Sequence, residues 1–214
     1  MKLYSYFRSS AAYRVRIALN LKGLPYETFG VHLVKDGGQH RQATYKDANP
    51  QGLVPALEVD GAVIGQSLAI LEYLEETHPK PALLPADPLL RAQVRAFALH
   101  IVCEIHPLNN LRVLQYLTGS AGLSEDAKLA WYQHWIAEGF SALEADIARR
   151  QPSGPYCFGE PLTLADVCLI PQVFNAQRFN CDMSPYPHLM RVFETCNALA
   201  AFADAHPSRQ PDAE

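Results

Sequence analysis

The chain has 214 residues, of which 49% are hydrophobic, so it can form one large domain or two small ones. Its formal net charge of -4 argues against a general affinity for nucleic acids or other polyanions. No stretch reaches the roughly 18 apolar residues that a membrane helix needs, so no membrane partner is expected. The five cysteines lie far apart and form no Cys-x-x-Cys pair, which predicts a reduced, cytoplasmic protein without a metal site.

The first 80 residues predict a mixed α/β domain with the element order β-α-β-α-β-β-α. Strands are expected at residues 2–7, 26–33, 53–59 and 62–64, and helices at residues 10–23 and from Gln66 or Ser67 to about residue 77. A polar, irregular stretch occupies residues 36–49. Asp60-Gly61 is a strong signal for a two-residue hairpin between the last two strands.

A proline-rich linker is predicted at residues 81–88, and an all-helical domain at residues 89–214. Two apolar stripes with helical spacing support this domain: Val94, Phe97, Ala98, Ile101, Ile105 and Leu108, and then Tyr132, Ile136, Phe140, Leu143 and Ile147. Pro107 is expected to kink the first of these helices. Thr163-Leu164-Ala165-Asp166 has the pattern of a capping box and predicts the start of a buried helix.

The most informative segment is the polar run Arg8-Ser9-Ser10-Ala11, where the first strand gives way to the first helix. The N–H groups at a helix N-terminus point outward, and the helix dipole favours negative charge there. A serine hydroxyl at this point can donate to a bound thiolate or carboxylate. Because the segment contains no cysteine, a thiolate would have to arrive with a ligand. The absence of a Gly-x-Ser-x-Gly pattern argues against a hydrolase nucleophile.

Two further segments are candidates for ligand binding. Val54-Pro55 falls in the third predicted strand, where a cis bond would turn the Val54 backbone toward an extended ligand. The alternative is an ordinary edge-strand proline. Gln66-Ser67 is a second polar pair at a helix N-terminus, which could hold a carboxylate and an ammonium-bearing carbon. The alternative there is a plain N-cap serine.

The remaining polar candidates have ordinary explanations beside the functional one. They are Arg8, His106, Asn109, Asn110, Arg112 and Arg178. A lone histidine in a core helix is usually a satisfied polar group, and an arginine at the end of a helix is a surface residue by default.

Taken in order, these features resemble a cytosolic glutathione transferase, and in detail they resemble the zeta class. That class carries a Ser-Ser-Cys motif followed by Trp-Arg-Val-Arg-Ile-Ala-Leu, and residues 9–19 here are Ser-Ser-Ala-Ala-Tyr-Arg-Val-Arg-Ile-Ala-Leu. Further segments similar to zeta sequences are Asn49-Pro50, Val54-Pro55, residues 66–70, residues 83–85, residues 171–173 and residues 206–211. The resemblance covers nearly the whole chain. It implies a thioredoxin-like N-terminal domain followed by an all-α C-terminal domain.

The resemblance also implies roles for individual residues, with glutathione as the cofactor. Ser9 is expected to stabilise the glutathione thiolate, with Ser10 assisting and Ala11 beside them. The Val54 backbone is expected to pair with the cysteinyl unit, and Gln66 and Ser67 to hold the γ-glutamyl end. Positions near the glycine carboxylate, some of them reaching across a dimer, are matched by His40, His106, Asn110 and Arg112. Groups that bind substrate carboxylates are matched by Arg8 and Arg178.

The activity implied by the resemblance is glutathione-dependent cis–trans isomerisation of a maleyl dicarboxylate in aromatic catabolism, carried out by a homodimer. Maleylacetoacetate and maleylpyruvate are both candidate substrates. Two departures from the class pattern are Ala11 in place of cysteine and Tyr13 in place of tryptophan, and His40 and His106 replace a glutamine of some relatives. One alternative is a transferase that acts by conjugation or dehalogenation, against which Ala11 argues. Another is a non-catalytic member that only binds glutathione.

Overall fold

The computed structural model describes residues 1–214 and divides them into two compact units. The first unit consists of Met1–Ala82 together with Asn197–Glu214, and the second consists of Leu83–Cys196. The division after Ala82 falls inside the predicted linker. The C-terminal segment Asn197–Glu214, which the sequence analysis assigned to the helical domain, instead groups with the first unit. The reason is packing: its short helix lies against the first helix of the chain.

The first unit is built on a four-stranded sheet with the order β2-β1-β3-β4. Its strands are β1 Lys2–Ser5, β2 Glu27–Gly30, β3 Ala56–Val59 and β4 Ala62–Gly65. β1 pairs in parallel with β2 and antiparallel with β3, and β4 continues antiparallel from β3. Asp60 and Gly61 both have positive φ, at 49° and 82°, as a two-residue hairpin of the primed type requires. The predicted hairpin is therefore confirmed.

The first three strands are shorter than predicted, whereas β4 is one residue longer, and β3 shows one reason for the shortening. Proline has no N–H to give to the ladder, so pairing begins only after Pro55, at Ala56. Three helices and a C-terminal one complete the unit: α1 Ser10–Leu21, α2 Ala43–Lys46, α3 Ser67–Thr77 and α9 Ala200–Ala205. α1 ends just before Gly23, whose φ of 63° suits a helix stop, as expected.

The second unit is helical, as predicted. Its helices are α4 Pro88–Leu99, α5 Leu111–Thr118, α6 Glu125–Arg150, α7 Leu164–Arg178 and α8 Pro187–Asn197. α4 continues into wider π-type turns over His100–Ile105, so the irregularity begins before Pro107. A proline ring clashes with the carbonyl four residues earlier, which places the disturbance in those turns. Both apolar stripes are buried, except that Leu108 is only half-buried. No helix is long and apolar enough to cross a membrane.

The capping box at the start of α7 is confirmed. The Thr163 N–H donates to Asp166 Oδ2 at 2.7 Å, and the Thr163 hydroxyl donates to the same oxygen at 3.0 Å. The Cys157 N–H donates to Asp166 Oδ1 at 2.8 Å, so the carboxylate also ties the preceding loop to the helix. Burial raises the pKa of Asp166, although these hydrogen bonds act in the opposite direction.

Candidate functional site

Three of the predicted segments lie next to the same end of the strands in the first unit's sheet. Tyr4, Ala56 and Gly65 lie side by side across β1, β3 and β4. Beyond this row the chain runs into the serine pair, the Val-Pro dipeptide and the Gln-Ser pair. The strand register, which the sequence could not give, therefore brings these three segments together.

Ser9 is the N-cap of α1. Its Oγ accepts a hydrogen bond from the Ala12 N–H at 3.2 Å, and its own N–H donates to the Tyr6 carbonyl at 2.9 Å. A serine hydroxyl carries one donor and two acceptor positions, so this cap leaves its proton to donate to another group. Ser10, at the first helical position, is only 5% exposed, whereas Ser9 is half-buried. The geometry favours Ser9 as the donor to a bound anion.

The Val54-Pro55 peptide bond is cis, as the first of the two interpretations of this dipeptide requires, and pairing of the Val54 backbone with a ligand stays a prediction. The dipeptide lies just before β3 instead of within it. The carbonyl of Leu53 accepts from the Tyr45 hydroxyl at 2.6 Å and from Asn49 Nδ2 at 2.8 Å. These two buried side chains fix the backbone that leads into Val54.

Gln66 and Ser67 lie at the N-terminus of α3. Gln66 is exposed, has a φ of 66°, and donates through Nε2 to Gln51 Oε1 at 2.7 Å. Ser67 is 5% exposed, and its Oγ accepts from Nη1 of the fully buried Arg14 at 3.3 Å. Arg14 thus connects α1 to the start of α3. Sequence reasoning missed Arg14 and Gln51, because each is recognisable only from its partner.

His40 lies in the irregular stretch between β2 and β3, and its backbone comes close to Gly52. Its carbonyl oxygen is 2.8 Å from the position that a Cβ on Gly52 would occupy, so a side chain larger than hydrogen does not fit at Gly52. Burial, followed by the nearby charges of Arg41 and Lys46, lowers the pKa of His40. A neutral imidazole at pH 7 follows, which can still donate one hydrogen bond.

Four predicted residues belong to the second unit: His106, Asn110, Arg112 and Arg178. Asn110 caps α5, and its Oδ1 accepts from the Arg112 N–H at 3.1 Å. Arg112 and Arg178 are exposed, whereas His106 is half-buried.

Arg178 is the last residue of α7. Its Nη1 donates to Asn175 Oδ1 at 2.9 Å, and its guanidinium lies 5.1 Å from the centre of the Phe179 ring. Arg8, in the first unit, is also exposed. Exposed guanidinium groups of this kind can bind carboxylates.

The chain's own thiols are poor candidates for a reactive thiolate. All five cysteines are free and belong to the second unit. Burial raises the pKa values of the Cys157 and Cys196 thiols. It also raises the pKa of the Cys181 thiol, to about 11. These three thiols therefore stay protonated at neutral pH. None of the five cysteines belongs to the first unit, so Ser9 has no thiol of its own unit beside it.

Comparison with known proteins identifies the families and relatives that this chain resembles. Residues 8–77 match the family model "Glutathione S-transferase, N-terminal domain", and residues 130–195 match "Glutathione S-transferase, C-terminal domain". The probable maleylacetoacetate isomerase of Vibrio cholerae is 53% identical over 212 residues, which cover 99% of this chain and 97% of the relative.

Two solved structures are also similar. One is the holo structure of a maleylpyruvate isomerase, described as a bacterial zeta-class glutathione S-transferase, with 50% identity, a TM-score of 0.97 and 100% of both chains covered. The other is the maleylacetoacetate isomerase of Methylobacterium extorquens with bound malonate and glutathione, with 41% identity, a TM-score of 0.95 and 100% of both chains covered.

Proposed function

The chain belongs to the zeta class of the glutathione transferase family, and from that premise we propose that it is a glutathione-dependent cis–trans isomerase of aromatic catabolism. Its substrate is a maleyl compound, with maleylacetoacetate as the first candidate and maleylpyruvate as the second, and its product is the fumaryl isomer. The observation that carries this proposal is the Ser9 hydroxyl, which caps α1 and keeps its proton for a bound thiolate.

The chemistry follows from the substrate's cis double bond, which is conjugated to a carbonyl. The glutathione thiolate adds to one alkene carbon, and the π electrons move to the carbonyl oxygen to give an enolate. The former double bond is now single and rotates. The enolate electrons then return, the carbon–sulfur bond breaks, and the thiolate leaves the trans product. Glutathione is regenerated in each cycle and acts as a cofactor.

The contribution of Ser9 is to keep the glutathione sulfur ionised. A free thiol has a pKa of about 8.5 and is mostly protonated at neutral pH. The N-terminus of α1 and the Ser9 hydroxyl both favour the anion. A hydrogen bond to a charged group contributes roughly 1.5–3 kcal/mol, which corresponds to about one or two pKa units.

The other residues are proposed to bind the two ends of glutathione and the substrate. Ser10 and Ala11 line the thiolate position, the Val54 backbone pairs with the cysteinyl unit, and Gln66 and Ser67 hold the γ-glutamyl end. Near the glycine carboxylate we place His40, His106, Asn110 and Arg112.

Arg8 and Arg178 are proposed to bind the substrate carboxylates, because their planar forks match a carboxylate in a fixed geometry. Support comes from the M. extorquens relative, in which malonate, a dicarboxylate, is bound together with glutathione. Positive charge close to the substrate also stabilises the enolate that forms during the reaction.

A direct assay tests the proposal. The purified protein is mixed with maleylacetoacetate or maleylpyruvate, with and without glutathione, and loss of the cis absorbance is followed. We expect a glutathione-dependent rate on at least one of the two, and the ratio of kcat/KM identifies the preferred substrate. A parallel reaction with a haloacid should be slow, because Ala11 places no thiol beside the sulfur site. No glutathione-dependent rate on either maleyl compound refutes the proposal.

A cytoplasmic homodimer is part of the same proposal. Its support is the family resemblance, in which some residues near the glycine carboxylate reach across a dimer, and the five free thiols, which suit a reducing compartment. Sedimentation at several protein concentrations should give the mass of two chains, and a monomer would contradict it.

A further inference from the structure

The C-terminal segment Asn197–Glu214 returns to the first unit and packs on α1. Phe202 and Ala205 of α9 are fully buried. The Tyr13 hydroxyl donates to the Phe202 carbonyl at 3.5 Å, which links the two helices. The proposed isomerisation assigns no role to this segment, although it closes against the helix that carries the serine pair.

The buried Arg16 connects the segment to the loop before Ser9. Its Nε donates to the Ala205 carbonyl at 3.0 Å, and its Nη2 donates to the Phe7 carbonyl at 3.1 Å. Its Nη1 donates to Ser5 Oγ at 3.1 Å. Burying a guanidinium is costly unless its donors are satisfied. The contacts of the fully buried Arg16 therefore hold the C-terminal segment and the loop before Ser9 together.

Asp212 holds the other backbone group of the same residue, Phe7. Its Oδ2 accepts a hydrogen bond from the Phe7 N–H at 2.9 Å. The Phe7 N–H and C=O are therefore both fixed, by Asp212 and by Arg16. Arg8 follows directly, and Ser9 is the next residue. Ser9 therefore lies two residues after a residue whose N–H is held by Asp212.

The last two residues extend the same contact to other candidate residues. Ala213 packs against a buried cluster that includes Tyr6, Phe7 and Val54. Glu214 forms an ion pair with Lys35, and its Oε1 lies 3.6 Å from His32 Nε2. His32 and Lys35 both belong to the stretch of chain that leads to His40. The segment therefore touches the loop of Ser9, the cluster of Val54 and the stretch before His40.

We propose that the C-terminal segment positions the thiolate-binding loop and that Asp212 is its positioning residue. By accepting the hydrogen bond of the Phe7 N–H, Asp212 orients the loop that aims the Ser9 hydroxyl at the sulfur of glutathione. This inference rests on the proposed function, since it requires glutathione at Ser9. A displacement of about 1 Å in a reacting group is enough to cost up to roughly 100-fold in rate.

The test compares Asp212→Ala, which removes the acceptor for the Phe7 N–H, with Asp212→Asn, which retains an amide oxygen there. Asp204→Ala is the matched control, because Asp204 is an exposed carboxylate of the same segment that pairs with Arg209. The pKa of bound glutathione is measured from its thiolate absorbance across pH, and kcat and KM are measured for glutathione.

We expect Asp212→Ala to raise the pKa of the bound thiol toward its free value and to lower kcat by about tenfold. Asp212→Asn should restore most of the loss, and Asp204→Ala should match the unaltered protein. If Asp212→Ala does not fold, Asp212→Glu takes its place, because it keeps the charge but shifts the acceptor. A smaller rise in the thiol pKa is then expected.

Two results separate this inference from the proposed function. If the unaltered protein gives no thiolate signal with glutathione, the proposed function fails and this inference fails with it. If the unaltered protein gives the signal and the folded Asp212 variant titrates identically, only the positioning role is overturned. A variant that loses stability but keeps an unchanged thiol pKa also overturns the positioning role.

Discussion

The two units hold their candidate residues in different ways. In the first unit the two serines at helix starts are held by interior groups: the Ala12 N–H bonds to Ser9, and Arg14 bonds to Ser67. In the second unit, Arg112 and Arg178 are exposed side chains near helix ends. Their long, exposed stems allow the guanidinium groups to change position when a ligand binds.

This difference assigns different kinetic effects to the two units. Groups held rigidly before binding contribute to the transition state, so their loss lowers kcat. Mobile charges that gather a ligand contribute mainly to binding, so their loss raises KM. Variants of Ser9 should therefore act on thiol ionisation and kcat, and variants of Arg178 should act on the substrate KM.

The largest effect is expected for Ser9→Ala. Removing a donor aimed at a developing or resident anion typically costs about 100-fold or more in kcat. Ser10→Ala is the matched control, since Ser10 is buried at the first helical position and does not cap α1. Steady-state kinetics at saturating glutathione measure both variants. Equal losses for the two serines would contradict the assignment of the thiolate donor to Ser9.

Asp166→Ala tests whether damage confined to the second unit spares the thiol. The change leaves the buried N–H groups of Thr163 and Cys157 without an acceptor, and each such group costs roughly 1–3 kcal/mol. We expect the free energy of unfolding in urea to fall by about 3 kcal/mol. The exposed Asp126, in the first turn of α6, provides the control Asp126→Ala, which should cost much less.

The bound thiol in folded Asp166→Ala protein should titrate as in the unaltered protein. A shifted titration would show that the two units do not divide these roles. Asp166→Asn, a milder change, replaces the alanine variant if that protein does not fold.

The features that the sequence predicted well depend on residues close together in the chain. The capping box spans Thr163 to Asp166, and the hairpin turn is Asp60-Gly61. Each follows from turn or helix geometry within a few positions, so the pattern alone is sufficient.

The features that it missed depend on distant pairs. Arg14 meets Ser67 at a separation of 53 residues, and Phe7 meets Asp212 at a separation of 205 residues. No local pattern marks such partners, because they are set by how α1 packs against α3 and α9. The serine pair is therefore visible in the sequence, whereas the groups that hold it and the grouping of the C-terminal segment with the first unit are not.

A moderate effect is expected for Arg178→Gln. Losing one charge-assisted contact to a substrate carboxylate should raise the substrate KM by about tenfold, with a smaller change in kcat. Arg191→Gln is the control, because Arg191 is another exposed arginine on a helix of the same unit. The KM for each maleyl substrate is measured at saturating glutathione. A fall in kcat without a rise in KM would place Arg178 among the rigid groups instead.

The smallest effect is expected for His40→Gln, and its pH dependence has a definite sign. Burial and the charges of Arg41 and Lys46 lower the pKa of His40, so it protonates only below the usual histidine value of about 6.5. Above that pH both side chains are neutral donors, and the affinities of the two proteins for glutathione should agree within about twofold. Below it, protonated His40 should favour the glycine carboxylate over the glutamine variant. Calorimetric titrations measure the ratio of the two proteins' affinities for glutathione. They run from about pH 5.5 to 8, which spans the usual histidine pKa of about 6.5. A ratio that changes between neutral and higher pH would mean that His40 carries charge there and that the first unit, too, uses a mobile cation for this end of glutathione.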